Sequence, residues 1–182
     1  MLSEFVQDRL ANLPSRVRIG AESSRAEVQA GERQTTVKLY LDMCVYNRPF
    51  DDQSDLRIKL ETIACQMIFE KIQAGKIELV WSFMLEFENE LNPFTERKGE
   101  IVLLSRLARH LIEPNQAIQV KAENLERNGI KGKDSVHLGC ALVGGCSHFV
   151  TCDDRIIKRS AALDLRMVVC NPVGFILKEG FQ

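Results

Sequence analysis

Four acids stand where segments of regular structure begin or end in this chain. Asp42 follows directly on an apolar run at 37–41. Asp153, with Asp154 beside it, follows another at 148–151. Asp134 opens a helical pattern, and Glu88 lies in a short helical stretch leaving a third apolar run at 77–81. Carboxylates brought within a few ångströms repel one another, so they must share protons or hold a cation. Four are too many to neutralise by protonation near pH 7. Hard oxygen donors with room left for water suit Mg²⁺ or Mn²⁺. An ion so held activates a bound water and neutralises a phosphate oxygen. Each acid alone also has a plainer use, as a strand end, a helix cap or part of the charged face EFENE. The order in which they occur carries the reading.

The elements that must position these acids follow from hydrophobic periodicity. Strands are predicted at 37–41, 77–81, 148–151 and 166–170. A long helix runs from about Gln53 to Gly75, with Asp51, Asp52 and Ser54 at its start and Leu56, Leu60, Ile63, Met67 and Ile72 turned inward. Ser82 caps a helix that Asn92-Pro93 stops. One helix is expected over 95–112 with Ile101, Leu104, Leu107, Ala108 and Leu111 inward, and another after Pro114, closed by Asn128-Gly129. Asp134 is expected to cap the next, which ends at Gly144-Gly145. A short helix at 155–161 and a helical turn from Pro172 complete the pattern. Alternating strands and helices predict an α/β fold, a three-layer α/β/α sandwich on a parallel central sheet. Sites in such folds form beyond the carboxyl ends of the strands, where all four acids are expected.

Composition bounds what the domain does. The chain has 182 residues, 45% of them hydrophobic, and a net charge of −1, so it exerts no global pull on nucleic acid or anionic membrane. Any RNA contact must come from a local patch. No apolar run reaches the roughly 18 residues of a membrane span, and no secretory pattern opens the chain. A cytoplasmic protein is expected. The six cysteines form no Cys-x-x-Cys pair and read as small buried hydrophobes rather than zinc ligands. Residues 1–36 read as an extension. Leu2, Phe5, Val6, Leu10 and Leu13 suggest a short amphipathic helix, and 15–36 a flexible linker.

Other polar residues near the acids also have plain uses. His137, one turn beyond Asp134 among apolar neighbours, reads as a buried, hydrogen-bonded histidine rather than a base. Asn47 and Arg48 either touch phosphate or shape the turn after Asp42. A phosphatase using Asp42 as nucleophile would need a second acid two positions on, where Cys44 stands instead.

Four segments, LYLDMCVYNRPFDD, SFMLEFE, GIKGKDSVHLGCA and FVTCDDR, together resemble the PIN domain family over about 37–175. The NRPFDD continuation is similar to the prokaryotic branch of VapC-type toxins. The resemblance implies a PIN-like nuclease domain at 37–182 acting as a Mg²⁺- or Mn²⁺-dependent endoribonuclease, the toxin of a toxin–antitoxin pair. By motif it places catalytic and metal-binding acids at Asp42, Glu88, Asp134 and Asp153, with Thr151 in support. Asp154 stays open as the alternative to Asp153, and Glu86 as the alternative to Glu88, although the spacing from Ser82 favours Glu88. Arg48, Lys131, Lys133, Arg155 and Lys158 are the expected RNA-binding cations, with Arg159 flanking them. An antitoxin protein and a homodimer are the implied partners. The rival reading is a non-catalytic PIN-fold module that binds RNA or protein.

Overall fold

The computed structural model describes residues 16–20 and 37–179. Six strands form one sheet: β1 (Val17–Ile19), β2 (Val37–Leu41), β3 (Ile77–Ser82), β4 (His110–Ile112), β5 (His148–Val150) and β6 (Val168–Cys170). Their spatial order is β1-β4-β3-β2-β5-β6, and every pairing is parallel. Among the described residues eight helices accompany them: α1 (Met43–Asn47), α2 (Leu56–Gln73), α3 (Phe83–Glu90), α4 (Thr95–Ser105), α5 (Gln116–Arg127), α6 (Lys133–Val143), α7 (Asp154–Ser160) and α8 (Pro172–Glu179). A 3₁₀ turn, Arg48–Phe50, follows α1.

The expected α/β layering is what the chain adopts. A parallel sheet covered on both faces needs strands that are apolar throughout. Successive residues of β2 and β3, including Leu39, Tyr40, Leu41, Leu79, Val80 and Trp81, are all buried. On one face Trp81 meets Tyr46 of α1, which also packs on Phe69 of α2. On the other, Tyr40 stacks on Phe149 and meets the edge of His137 from α6.

The course of the chain fixes where a site can form. From β2 it steps to β3 and then β4 on one side. It then crosses to β5 and β6 on the other. The connections therefore diverge between β2 and β5, the place where a crevice opens in such sheets. Asp42 and Thr151 sit directly beyond these two strand ends, and Asp42 N–H donates to Val150 O at 2.9 Å.

Three expectations need correction. The helix predicted over 95–112 stops at Ser105, and His110–Ile112 forms β4 instead. No glycine or proline marks the break; pairing with β3 and β1 and a 3.0 Å contact between His110 Nε2 and Glu78 decide it. Val17–Ile19, predicted within a linker, is the edge strand β1 in register with β4. The predicted helix at 1–13 and most of 15–36 lie outside the described residues.

The third correction concerns the face of α2. Leu56, Leu60 and Ile63, read as inward, are 70%, 49% and 47% exposed. The buried face carries Glu61, Thr62, Ala64, Cys65, Ile68, Phe69 and Ile72. Its first half docks through polar groups: Glu61 pairs with Arg48 at 3.0 Å and Arg57 at 2.9 Å, and Thr62 donates to Arg48 O. A polar network holds the inner side, so the apolar stripe is left outside. Asp55, rather than the acids and serine before it, caps this helix.

Candidate metal centre

Asp42 is the most firmly held of the acids. It caps α1, its Oδ1 accepting Met43 N–H at 2.8 Å, while Oδ2 accepts Thr151 Oγ1 at 2.7 Å and the Cys44 thiol at 3.3 Å. Thr151 in turn accepts Asp153 N–H at 3.1 Å, so one hydroxyl ties the ends of β2 and β5 together. Cys44 Sγ also accepts Cys152 N–H. All six cysteines are free thiols, five of them buried and Cys44 partly so.

Glu88 reaches the same place from α3. Ser82 Oγ caps this helix by accepting Leu85 N–H, and two turns of helix carry Glu88 toward α6. Glu88 Oε2 lies 2.8 Å from His137 Nε2, and Oε1 lies 2.5 Å from Lys133 Nζ. Burial pushes the Glu88 carboxyl up, but hydrogen bonds from His137 and Lys133 outweigh it and hold the group below the usual range. Glu86, in the first turn of α3, is exposed and takes no part in this contact.

Behind Glu88 a buried relay begins. His137 Nδ1 lies 2.8 Å from Tyr40 Oη, which lies 2.7 Å from Ser82 Oγ. A carboxylate only accepts, so His137 Nε2–H faces Glu88. A neutral imidazole then accepts the tyrosine hydroxyl at Nδ1, and the tyrosine oxygen accepts Ser82 O–H. Every polar atom of the relay is thereby satisfied.

Asp42, Glu88 and His137 each offer a ligand atom, and the three lie within 4.8 Å of one another. Asp134 stands beside them. It is not the cap of α6, a place taken by Gly132, so its carboxylate is released from that duty. No hydrogen bond to it is found among the described residues. Burial pushes the Asp134 carboxyl up, and the charges of Asp42 and Asp153 push it further.

Asp153 is turned partly away. It caps α7 by accepting Arg155 N–H at 2.7 Å, and its other oxygen takes the Arg155 guanidinium at 2.9 Å. That guanidinium, first among several causes, holds the carboxyl below the ordinary range. Asp154 is gripped at both oxygens by Arg57, at 2.7 Å each, and is half exposed. Of the pair, Asp153 is the one that bears electrostatically on Asp134.

The donor set fits a hard divalent cation. Asp42 and Glu88 supply oxygens within reach of each other, and Asp134 is near enough to feel the charges of Asp42 and Asp153. His137 has both ring nitrogens engaged and reads as the support of Glu88. Sequence spacing missed the Cys44, Tyr40, Ser82 and Lys133 contacts. The Ser-x₅-Glu spacing marked the two ends of the relay without showing what joins them.

The expected RNA-binding cations divide. The Arg48 guanidinium is mostly buried and pairs with Glu61 and with Asp51 at 2.9 Å. Lys133 and Arg155, with exposed side chains, rim the acids. Lys131 lines a separate hollow with Glu123, Glu126 and Arg127. Lys158 is exposed in the last turn of α7, as is Arg159.

No family model matches the chain, and no curated protein matches it. Among solved structures it is similar to the crystal structure of VapBC2 from Rickettsia felis bound to a DNA fragment from their promoter. The identity is 13%, the match covers 74% of this chain and 98% of that one, and the TM-score is 0.49. Among the described residues, no helix is long and apolar enough to cross a membrane.

Proposed function

We propose that the protein is a metal-dependent endoribonuclease that hydrolyses RNA phosphodiester bonds, acting as the toxin of a toxin–antitoxin pair. The observation that carries this reading is the meeting of Asp42 and Glu88 at the divergence of β2 and β5, with the Asp134 carboxyl pushed up by burial and by the charges of Asp42 and Asp153. The four sequence segments that resemble PIN domains supply precisely these acids. Asp42, Glu88, Asp134 and Asp153 would hold Mg²⁺ or Mn²⁺, which supplies a water of lowered pKa and charge stabilisation at the phosphate.

The chain's own groups divide the remaining work. Thr151, Cys44 and Met43 N–H keep the Asp42 carboxylate from rotating. Glu88, kept ionised, accepts a hydrogen bond from the attacking water and aims it at phosphorus. His137 and Tyr40 hold Glu88 in that pose. Lys133 and Arg155 lead the RNA backbone to the acids, which predicts salt-sensitive binding. An antitoxin would act by covering this edge. A homodimer would bury the stripe Leu56, Leu60 and Ile63.

The test is cleavage of single-stranded RNA by wild type and Asp42→Asn with Mg²⁺ and with chelator. Cleavage by wild type with Mg²⁺ alone, reduced at least 100-fold in the variant, is expected on the scale of losing a principal charge-stabilising group. Equal cleavage by both proteins, or none by wild type, would remove the basis for the assignment.

A further inference from the structure

Beside the acids lies a cleft of about 350 Å³, lined among others by Asn47, Glu88, Leu91, Asn92, Phe94 and Lys133. It shares two residues, Glu88 and Lys133, with the candidate metal centre, so whatever enters it is a neighbour of the reacting group. The remaining wall has a different chemistry. Leu91 and Phe94 are 66% and 55% exposed, although they stand next to a charged cluster. Large apolar side chains left open at the rim of a polar site mark a place where something flat or apolar docks.

The aromatic ring is built to stay where it is. Phe94 follows Pro93, and its N–H donates to Asn92 Oδ1 at 3.1 Å, fixing the turn between α3 and α4. Arg97 lies over the ring, 4.5 Å from its centroid. That guanidinium is itself anchored, donating to Phe50 O at 3.0 Å and lying 5.4 Å from the Phe50 ring centroid. The result is a cation-backed aromatic platform with more than half of Phe94 still open to solvent. Two amides stand in the same cleft. Asn92 spends its oxygen on Phe94 N–H, and Asn47 spends its amide hydrogen on Met43 O at 3.1 Å. Among the described residues, no bond takes the Asn92 amide hydrogens or the Asn47 oxygen. Residues with an uncommitted donor and an uncommitted acceptor therefore line a cleft that also holds an exposed aromatic ring.

We infer that this cleft receives one unpaired nucleobase of the RNA strand, next to the phosphate held at the acids. The base stacks on Phe94, and Asn47 and Asn92 read its edge. This rests on the proposed ribonuclease reading and adds a specificity subsite to it. Stacking accepts any base, whereas a paired donor and acceptor discriminate among them, so substitutions at the two positions have different consequences.

The experiment uses full-length protein carrying Asp42→Asn, so that RNA is bound and not cut, and a short fluorescent single-stranded RNA read by anisotropy. Phe94→Ala is expected to weaken binding about tenfold, the usual scale for losing one stacked base. Phe94→Trp, which keeps the stack, is expected to bind at least as tightly as Phe94. A series of the same RNA with one abasic position moved along the strand supplies the internal control. At one position the abasic RNA should bind the Phe94 and Phe94→Ala proteins equally, because the ring has lost its partner. Asn92→Ala should leave overall affinity within about threefold but flatten the preference among bases at that position.

Unchanged RNA affinity in Phe94→Ala overturns the proposal, and so does a loss of the same size on every abasic RNA. The first result would assign the exposed ring to a protein partner instead. If wild type cleaves RNA with Mg²⁺ while Phe94→Ala shows no defect, the subsite falls and the nuclease reading stands. If wild type neither binds nor cleaves RNA, both fall together.

Discussion

At the residue scale, the acids differ because their neighbours differ. Asp134 is pushed up by burial first and by Asp42 and Asp153 after it. In the unfolded chain it ionises in the ordinary aspartate range. Between that range and its raised folded value, the folded protein binds the extra proton. The stability it contributes is full below the unfolded value and is lost as pH rises through the folded one. With chelator present, the stability of wild type relative to Asp134→Asn should therefore fall as pH rises across that window, measured by urea unfolding at a series of pH values. A difference that is flat or rises with pH would show that the acids do not crowd Asp134. Glu88 runs the other way. Its carboxyl is depressed, so its stabilising contacts are present above the ordinary glutamate range and are lost as pH falls through the folded value. Replacing His137 by Ala takes one hydrogen-bond partner each from the buried Tyr40 hydroxyl and from Glu88, leaving them Ser82 and Lys133. The expected cost is about 2–3 kcal/mol in urea unfolding at neutral pH; an unchanged midpoint would mean the relay does not hold Glu88.

At the scale of elements, α2 is where the sequence pattern and the packing part company. Its apolar spacing at 56, 60, 63 and 67 has a helical period, which says that a face exists and not which way it points. Glu61, 2% exposed between Arg48 and Arg57, turns the helix the other way. Arg57 then carries the network on to Asp154 at the start of α7. Glu61→Ala strands a largely buried Arg48 cation and should cost about 3 kcal/mol of stability, read by denaturant unfolding; a loss within about 0.5 kcal/mol would class the network as surface charge. The exposed stripe makes a separate prediction. Ile63→Asp should convert a dimer to monomer in light scattering at micromolar concentration while leaving the unfolding midpoint nearly unchanged. A wild type that is monomeric there contradicts the homodimer.

The short strands teach the complementary lesson. β2 and β3 were legible because strands buried on both faces are continuous apolar runs. β1 and β4 were not, because three-residue strands near one edge owe their form to neighbours distant in sequence. The fold as a whole was still readable from strand–helix alternation. For the site, Asp42 stood out at the end of an apolar run, whereas Glu88 was favoured over Glu86 by the serine spacing that the family resemblance supplies. The link between Glu88 and His137, 49 residues apart, did not stand out, since no spacing rule registers it. The pairing of Arg48 with Glu61 on α2 was hidden for the same reason, since 13 residues separate them with no spacing rule to join them.

At the scale of the molecule, a chain of net charge −1 that acts on RNA as proposed must draw it by local cations set around local acids. Lys133 and Arg155 occupy that rim, each paired with a carboxylate of the cluster. The whole account depends on oxygens from β2, α3, α6 and the β5–α7 turn sharing one divalent ion. A crystal of the full chain soaked in Mn²⁺ and measured for anomalous scattering tests this most directly. A peak within about 2.2 Å of the Asp42 and Glu88 carboxylates is the predicted result. Anomalous signal absent from that edge, or found only at carboxylates elsewhere on the surface, would contradict it.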